Sequence, residues 1–230
     1  TVKPIRDTQI FSITQAWFPC QIYIKNLDNE SVSGVTVEAR NVTKGQKVST
    51  TTSDDAGLAK FSLETYTYSF RALLEDVEVG NISALNVGRN ITQTLVCRLV
   101  NVKTLITDVS GNPLPFITVD LKYNYTEIFS GTRTLETDNT GTVNFQNTFI
   151  NINYLIEAKR YGSIFNRTTV RNLKVSRWVN ITCPIRELFI HVADSKGLPL
   201  SNVSVNVTEW SSGLLVGDKT WVTNDQGSVS

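Results

Sequence analysis

The sequence is poor in the features that carry catalysis, membrane insertion or nucleic-acid binding. It has no apolar run of the roughly 18 residues that a membrane helix needs, and no basic cluster stands out among its 22 basic and 21 acidic residues. Its one histidine, His191, lies in an apolar strand pattern, and nucleophile elbows, HExxH helices and phosphate-binding glycine loops are missing. We therefore expect no enzyme, no nucleic-acid partner and no membrane span in this segment. Methionine is absent, and we expect a processed or excised piece whose anchor lies elsewhere.

What the sequence does contain is a period of two. In the stretch 117–124, apolar and polar residues alternate strictly: Ile117, Val119, Leu121 and Tyr123 on one face, Thr118, Asp120, Lys122 and Asn124 on the other. This period is typical of a half-buried β-strand. The many Ser, Thr and Asn residues, with 13 glycines and six prolines, indicate short strands joined by turns. The predicted fold class is all-β.

The strand and its following turn recur along the chain. The turn at Asp138–Gly141 has counterparts 84 residues earlier and 86 residues later, at Asp54–Gly57 and Asn224–Gly227. Three further markers repeat at spacings of 82 to 86 residues: the strands Val35–Ala39, Ile117–Leu121 and Val203–Val207, the strands Tyr68–Ala72 and Tyr154–Ala158, and the cysteines Cys97 and Cys183. Four markers at a common period predict tandem sandwich repeats of about 85 residues.

The repeat period sets the predicted boundaries. Residues 20–96 form repeat 1, residues 97–182 form repeat 2, and residues 183–230 form an incomplete repeat 3. Residues 1–19 resemble the closing strands of a repeat. They are either the end of a preceding repeat or a donor strand for another subunit. Two explanations remain open for these ends: a longer array, or strand exchange in which Thr1–Pro19 completes repeat 3 of another subunit and propagates a filament.

Two motifs carry a family resemblance. The run from Asp108 through Gly111 and Pro113 to Val119, and the run Leu135–Phe145, resemble the carboxypeptidase-regulatory-like family of transthyretin-like or CnaB-like sandwiches. Repeat 3 repeats the first motif from Asp194 to Val205, whereas repeat 1 lacks its Gly and Pro between Asn26 and Val32. The resemblance implies sandwiches of about seven strands and assigns no activity.

Some CnaB-like domains contain a Lys–Asn amide crosslink. Ile106 and Val192 hold the matching lysine positions in repeats 2 and 3, so neither repeat is expected to form it. Lys25 lies near the matching position of repeat 1, where we interpret it as a solvated strand lysine.

N-glycosylation sequons form the second informative pattern. There are nine, about twice the number expected by chance, at Asn29, Asn41, Asn81, Asn90, Asn124, Asn166, Asn180, Asn202 and Asn206. Several fall on the polar face of a predicted strand, as a bulky glycan requires. The alternative is that Asn and Thr simply suit exposed strands and turns. We expect several N-linked glycans, and hence an extracellular or cell-surface location. By resemblance, the type of repeat suggests an archaeal cell envelope.

Three cysteines leave at least one without a partner in the chain. Each shares a predicted strand face with apolar residues, which favours a small buried side chain at a repeated junction. The alternative is a Cys20–Cys97 disulfide that joins the first and last strands of repeat 1. No Cys-x-x-Cys pair suggests zinc.

Acidic residues cluster mainly at the predicted turns. Asp54, Asp55, Asp138 and Asn139 offer oxygen ligands for Ca²⁺, but Asp-x-x-Gly spacing is also what a tight turn requires. We favour the turn and predict no metal or other cofactor.

Three functions fit these observations. The leading hypothesis is a structural glycoprotein of the cell surface, either a surface-layer (S-layer) stalk or an extracellular filament subunit. It would contact itself or other envelope proteins through strand addition or end-to-end contacts. An adhesin or ligand-binding array and an accessory region of a larger secreted enzyme are the alternatives.

Overall fold

The computed structural model describes residues 16–124, 130–160, 162–184, 190–211 and 214–229, and these are built from β-strands. The chain divides into two compact units, Thr1–Leu99 and Val100–Ser230. Across the described ranges, no helix has the length and apolarity needed to cross a membrane. The fold class predicted from the sequence, tandem β-sandwiches, is confirmed.

Seven strands form the sandwich of repeat 1. They are β1 (Trp17–Lys25), β2 (Thr36–Asn41), β3 (Lys47–Thr52), β4 (Leu58–Glu64), β5 (Tyr66–Leu74), β6 (Val77–Val87) and β7 (Ile91–Val96). One sheet has the order β3-β2-β5-β6 and the other the order β4-β1-β7. Phe61 of the second sheet meets Phe70 of the first edge to face, with ring centroids 5.4 Å apart. The core therefore lies between the two sheets.

Seven strands repeat this arrangement in repeat 2. They are β8 (Leu99–Thr107), β9 (Thr118–Asn124), β10 (Ser130–Glu136), β11 (Thr142–Phe149), β12 (Tyr154–Arg160), β13 (Ser163–Val170) and β14 (Arg177–Thr182). The sheets are β10-β9-β12-β13 and β11-β8-β14. In β9 the predicted alternation is confirmed for Val119, Leu121 and Tyr123, which are buried. Asp120 was expected on the solvent face but is only 7% exposed.

Four described strands belong to repeat 3: β15 (Ile190–His191), β16 (Ser204–Ser211), β17 (Leu214–Val222) and β18 (Ser228–Val229). Within the described part of this repeat, β15 pairs with β18, and β16 pairs with β17. His191 ends β15, opposite Ser228 in the ladder.

The repeated Asp-x-x-Gly motifs form one kind of turn. In Asp54–Gly57, Oδ1 of Asp54 accepts hydrogen bonds from the N–H groups of Ala56 and Leu58, at 3.0 and 2.9 Å. Gly57 closes the turn at φ 75°, and a Cβ there would lie 2.7 Å from the carbonyl oxygen of Ile24. This position therefore requires glycine. The carboxylate completes the turn, which favours the turn interpretation over a calcium site.

Repeat 1 makes its opening turn from different residues. Oδ1 of Asn26 accepts from the N–H groups of Asp28 and Glu30, as Asp108 does from Ser110 and Asn112 in repeat 2. Asn29, at φ 63°, stands where repeat 2 has Gly111. Asparagine tolerates the left-handed region better than most residues, so the motif changes while the turn is kept.

A buried hydroxyl group braces the loop before the second strand of every repeat. Oγ1 of Thr137 donates to the carbonyl of Leu114 and accepts from the N–H of Ile117, at 2.7 and 2.9 Å. Ser53 and Thr223 make the same pair of bonds in repeats 1 and 3. The hydroxyl thereby satisfies two backbone groups that the strand ladders leave unpaired.

The first boundary differs slightly from the sequence prediction. β1 begins at Trp17, three residues before Cys20, and Trp17–Pro19 pair with β4 from Glu64 to Ser62. These three residues therefore belong to the first strand of repeat 1. Residues 1–15, on which the donor-strand hypothesis depends, lie outside the described residues.

Candidate functional site

The sequon asparagines are the first candidate site, and eight of the nine are exposed. They occur in all three repeats: Asn29, Asn81, Asn90, Asn124, Asn166, Asn180, Asn202 and Asn206. Asn180 lies between the buried Val179 and Ile181 of β14, and so points away from the core as predicted. Asn124 lies next to the buried Tyr123 in the same way. Tyr125, the other sequence neighbour of Asn124, lies outside the described residues. Both sheets of repeat 2 thus present a sequon on the outer face.

Asn41 is the exception. It is 2% exposed at the end of β2, where its Oδ1 accepts a hydrogen bond from the N–H of Lys44 at 2.9 Å. Its side chain braces the β2–β3 turn and has no room for a sugar. Burial therefore disfavours glycosylation at Asn41, where the sequence alone predicts only a sequon.

Two exposed sequons already use the amide nitrogen that a glycan would modify. Nδ2 of Asn166 donates to the carbonyl of Thr182 at 2.6 Å, and Nδ2 of Asn81 donates to Glu78 at 3.0 Å. Attaching a sugar replaces one of the two hydrogens on that nitrogen. These asparagines are therefore less favourable acceptors than Asn124 or Asn180.

The cysteines do not form the alternative disulfide. β1 and β7 run parallel, and the ladder places Cys20 opposite Ile91, six residues before Cys97. Six residues of strand span about 20 Å, whereas a disulfide requires Cα atoms within about 7 Å. The Cys20–Cys97 alternative is wrong, and all three cysteines are buried free thiols.

Burial also makes these thiols unreactive. It raises the pKa of Cys20 to about 11 and the pKa of Cys97 to about 12. The N–H of Cys97 donates to the carbonyl oxygen of Lys25, at the end of β1, at 2.7 Å. In repeat 2 the N–H of Cys183 donates in the same way to the carbonyl oxygen of Thr107, at the end of β8, at 2.7 Å. The structure therefore supports small buried side chains at equivalent junction positions.

A cluster of charged side chains on the outer face of the β9–β12 pair was missed by the sequence interpretation. Asp120 and Glu157 lie directly opposite each other in the ladder, 7% and 3% exposed. Nζ of Lys159 lies 2.5 Å from Asp120 and 3.4 Å from Glu157, and Nζ of Lys122 lies 2.7 Å from Glu157. Each carboxylate is thus neutralised across the strand pair. The sequence does show charged residues in the middle of β9 and of β12. It does not show that these two strands pair, because their paired residues are more than 30 positions apart in the chain.

The cluster stays ionised. Burial alone would raise the pKa of Asp120, but hydrogen bonds from Lys159 and Thr134 outweigh it and lower that pKa. The hydrogen bond from Lys122 lowers the pKa of Glu157, and the one to Asp120 raises the pKa of Lys159. Amide formation between Lys159 and Asp120 would need the neutral amine and the neutral acid. The chemistry available here is therefore ion pairing.

Repeat 1 has a related cluster with different charges. Glu38, at the position of Asp120, lies within 4 Å of Arg40, Lys47 and Arg71, at 3.0, 3.1 and 3.8 Å. Arg71 stands where repeat 2 has Glu157. Repeat 3 has the sequon residue Asn206 at the position of Asp120. The outer face therefore varies between repeats while the core and turns are kept. Among the described residues, no group of His, Cys, Asp and Glu suits a metal ion.

Comparison with known proteins gives structural likeness only. No protein-family model and no curated protein sequence matches the chain. The chain is similar over 93% of its length to the Bacillus anthracis TIE protein, of which it spans 42%, with 16% identity and a TM-score of 0.32. It is similar over 74% of its length to 98% of the shaft pilin SpaA from Lactobacillus rhamnosus GG, with 10% identity and a TM-score of 0.40.

A third solved structure is a putative cell adhesion protein from Bacteroides ovatus. The similarity covers 73% of this chain and 93% of that one, with 10% identity and a TM-score of 0.43.

Proposed function

We propose that the chain is a non-catalytic structural glycoprotein of the cell surface, as a stalk or filament component built from sandwich repeats. The observation that carries the proposal is the exposure of eight sequon asparagines across three repeats, against one buried at Asn41. N-linked glycosylation requires an accessible acceptor, and glycans on Asn124 and Asn180 would shield both outer faces of the repeat 2 sandwich. The repeats conserve turns and cores between themselves, which supports a role in spacing and rigidity.

Glycopeptide mapping of the natively purified chain tests this proposal. We expect hexose-containing mass increments on peptides that carry Asn124 and Asn180, and an unmodified peptide at Asn41. Asn41 serves as an internal control, because it has the same sequon but lies in the folded core. Unmodified asparagine at all eight exposed sequons would contradict the proposal.

Self-association, or contact with other envelope proteins, is the proposed partner mode. Among the described strands, β3 and β10 are the outer strands of their sheets, and an outer strand can accept another strand. Sedimentation of the full chain and of a variant without residues 1–15 separates the modes. Polymers lost with the deletion support strand addition, polymers that remain support end-to-end contacts, and a monomer at every concentration contradicts self-association.

A further inference from the structure

The first and last strands of repeats 1 and 2 are direct neighbours and run parallel. β1 pairs with β7 over six residues, from Cys20 opposite Ile91 to Lys25 opposite Val96. β8 pairs with β14 over six residues, from Val102 opposite Arg177 to Thr107 opposite Thr182. These two pairs are the parallel ones in the described ladders; the other pairs whose registers are known are antiparallel.

This arrangement determines how tension would pass through a repeat. In a parallel pair, the chain enters at one end of the first strand and leaves at the opposite end of the last strand. Tension on the two chain ends then pulls β8 and β14 past each other along their length. All six residues of the ladder resist this shear together, whereas strands pulled apart from one end lose their hydrogen bonds one at a time.

Additional bonds close both ends of the pair in repeat 2. Before the ladder begins, the N–H of Asn101 donates to Oγ of Ser176 at 2.7 Å. After it ends, the N–H of Cys183 donates to the carbonyl of Thr107 at 2.7 Å. The core face of β14 is anchored by Val179 and Ile181, both buried. The equivalent bond in repeat 1 joins Cys97 to Lys25 at 2.7 Å.

We propose that the β1/β7 and β8/β14 pairs are mechanical clamps that bear tension applied along the chain. The β8/β14 clamp has no lysine crosslink, since Ile106 stands at the position that the resemblance assigns to the lysine. In repeat 1, Nζ of Lys25 donates to the carbonyl of Asn29 and to Oγ of Ser31, and the three cysteines are free thiols. The inference deepens the proposed surface role and rests on it for its biological meaning. The two are tested separately. The unfolding force of the clamps is measured on the chain alone, whereas the surface role is tested by the glycan occupancy of the natively purified chain.

Single-molecule force spectroscopy of the full 230-residue chain, held by tags at its two ends, measures the clamps directly. Repeats 1 and 2 should unfold in two high-force steps, which release contour lengths of about 270 and 300 Å at about 3.5 Å per residue. In a second geometry, the handles are the N-terminal tag and a thiol introduced by Arg89→Cys, just before β7. The native thiols are buried and leave the new one selectively reactive.

The second geometry loads repeat 1 differently. Because β1 and β7 are parallel, their starting ends lie at the same end of the sandwich. Pulling there separates the strands from one end, and repeat 1 should unfold at a clearly lower force. Equal forces in the two geometries would overturn the proposal.

A matched pair of variants tests the clamp in repeat 2. Ile181→Ala removes buried side-chain volume from β14, and Ile156→Ala removes the same volume from β12 in the other sheet; these isoleucines are 2% and 0% exposed. Both variants should shift the urea midpoint down. Only Ile181→Ala should lower the unfolding force, because β12 is still packed when the clamp ruptures. Equal force losses in the two variants would show that the β8/β14 pair is not the barrier.

Discussion

Replacing Thr137 with valine should destabilise repeat 2, whereas the same replacement at Thr104 should stabilise it. Both threonines are buried, at 2% and 0% exposure. Valine has nearly the shape of threonine, so the replacement acts mainly through the loss of the hydroxyl and its hydrogen bonds. The opposite signs follow from the hydrogen bonds that each hydroxyl makes.

The hydroxyl of Thr137 satisfies two backbone groups, the carbonyl of Leu114 and the N–H of Ile117. Valine leaves both without a partner, at about 1–3 kcal/mol for each buried group. Since Leu114 is partly exposed, we expect a total loss of about 2–4 kcal/mol, less than the full penalty for two buried groups.

The hydroxyl of Thr104 is buried without a hydrogen-bond partner in the described structure. Repeats 1 and 3 have Ile22 and Ile190 at the aligned positions, so an apolar side chain fits this face of the strand. Valine removes a desolvated polar group and should raise the free energy of unfolding by about 1 kcal/mol.

Urea unfolding measures both effects. Fluorescence of Trp178 reports on repeat 2 once Trp17, Trp210 and Trp221 are replaced by phenylalanine. The midpoint should shift without a change in slope. Thr132→Val on the exposed face of β10 is the control, expected within about 0.5 kcal/mol of the parent. A Thr137→Val variant as stable as the control, or a Thr104→Val variant clearly less stable, would refute the reasoning.

Three further predictions concern strain, thiols and acid. Phe116 lies at φ 57° and is 64% exposed, where repeats 1 and 3 have Gly34 and Asn202. Phe116→Gly should therefore stabilise repeat 2 by about 1 kcal/mol in urea, and a loss of stability would contradict this. Burial raises the pKa of Cys97 to about 12, so a disulfide reagent at pH 8 should label the three cysteines in urea and none in the folded chain; rapid labelling without urea would contradict the assigned burial. Hydrogen bonds from Thr140 and Thr142 lower the pKa of Asp138 to about 2. A lowered folded pKa gives stability that is present above the unfolded value of about 4 and lost as the pH falls towards 2. Asp138→Asn should therefore flatten the urea midpoint between pH 4 and pH 2, and an unchanged pH dependence would count against this contribution.

Local patterns predicted the repeats because they report local physics. The Asp-x-x-Gly turns could be read from sequence since one carboxylate and one glycine determine each turn. The alternation through Leu121 and Tyr123 placed the core face of β9 correctly, because side chains alternate between the two faces of any strand.

Features that depend on strand register could not be read in the same way. Cys20 lies within β1 and Cys97 directly follows β7, and the parallel register of these two strands separates the cysteines by six residues. The burial of Asp120 depends on Glu157 and Lys159 from a strand more than 30 residues away. The sequon at Asn41 does not show that the side chain of this residue is buried and hydrogen-bonded within the β2–β3 turn.

We propose that these repeats are exposed on the outside of the cell as a glycosylated structural array. Immunogold labelling of intact cells, with an antibody raised against the purified chain, tests it most directly. We expect gold on the outer surface of unpermeabilised cells, along stalks or filaments, and lectin staining of the same structures. Labelling that appears only after the cells are permeabilised would contradict it.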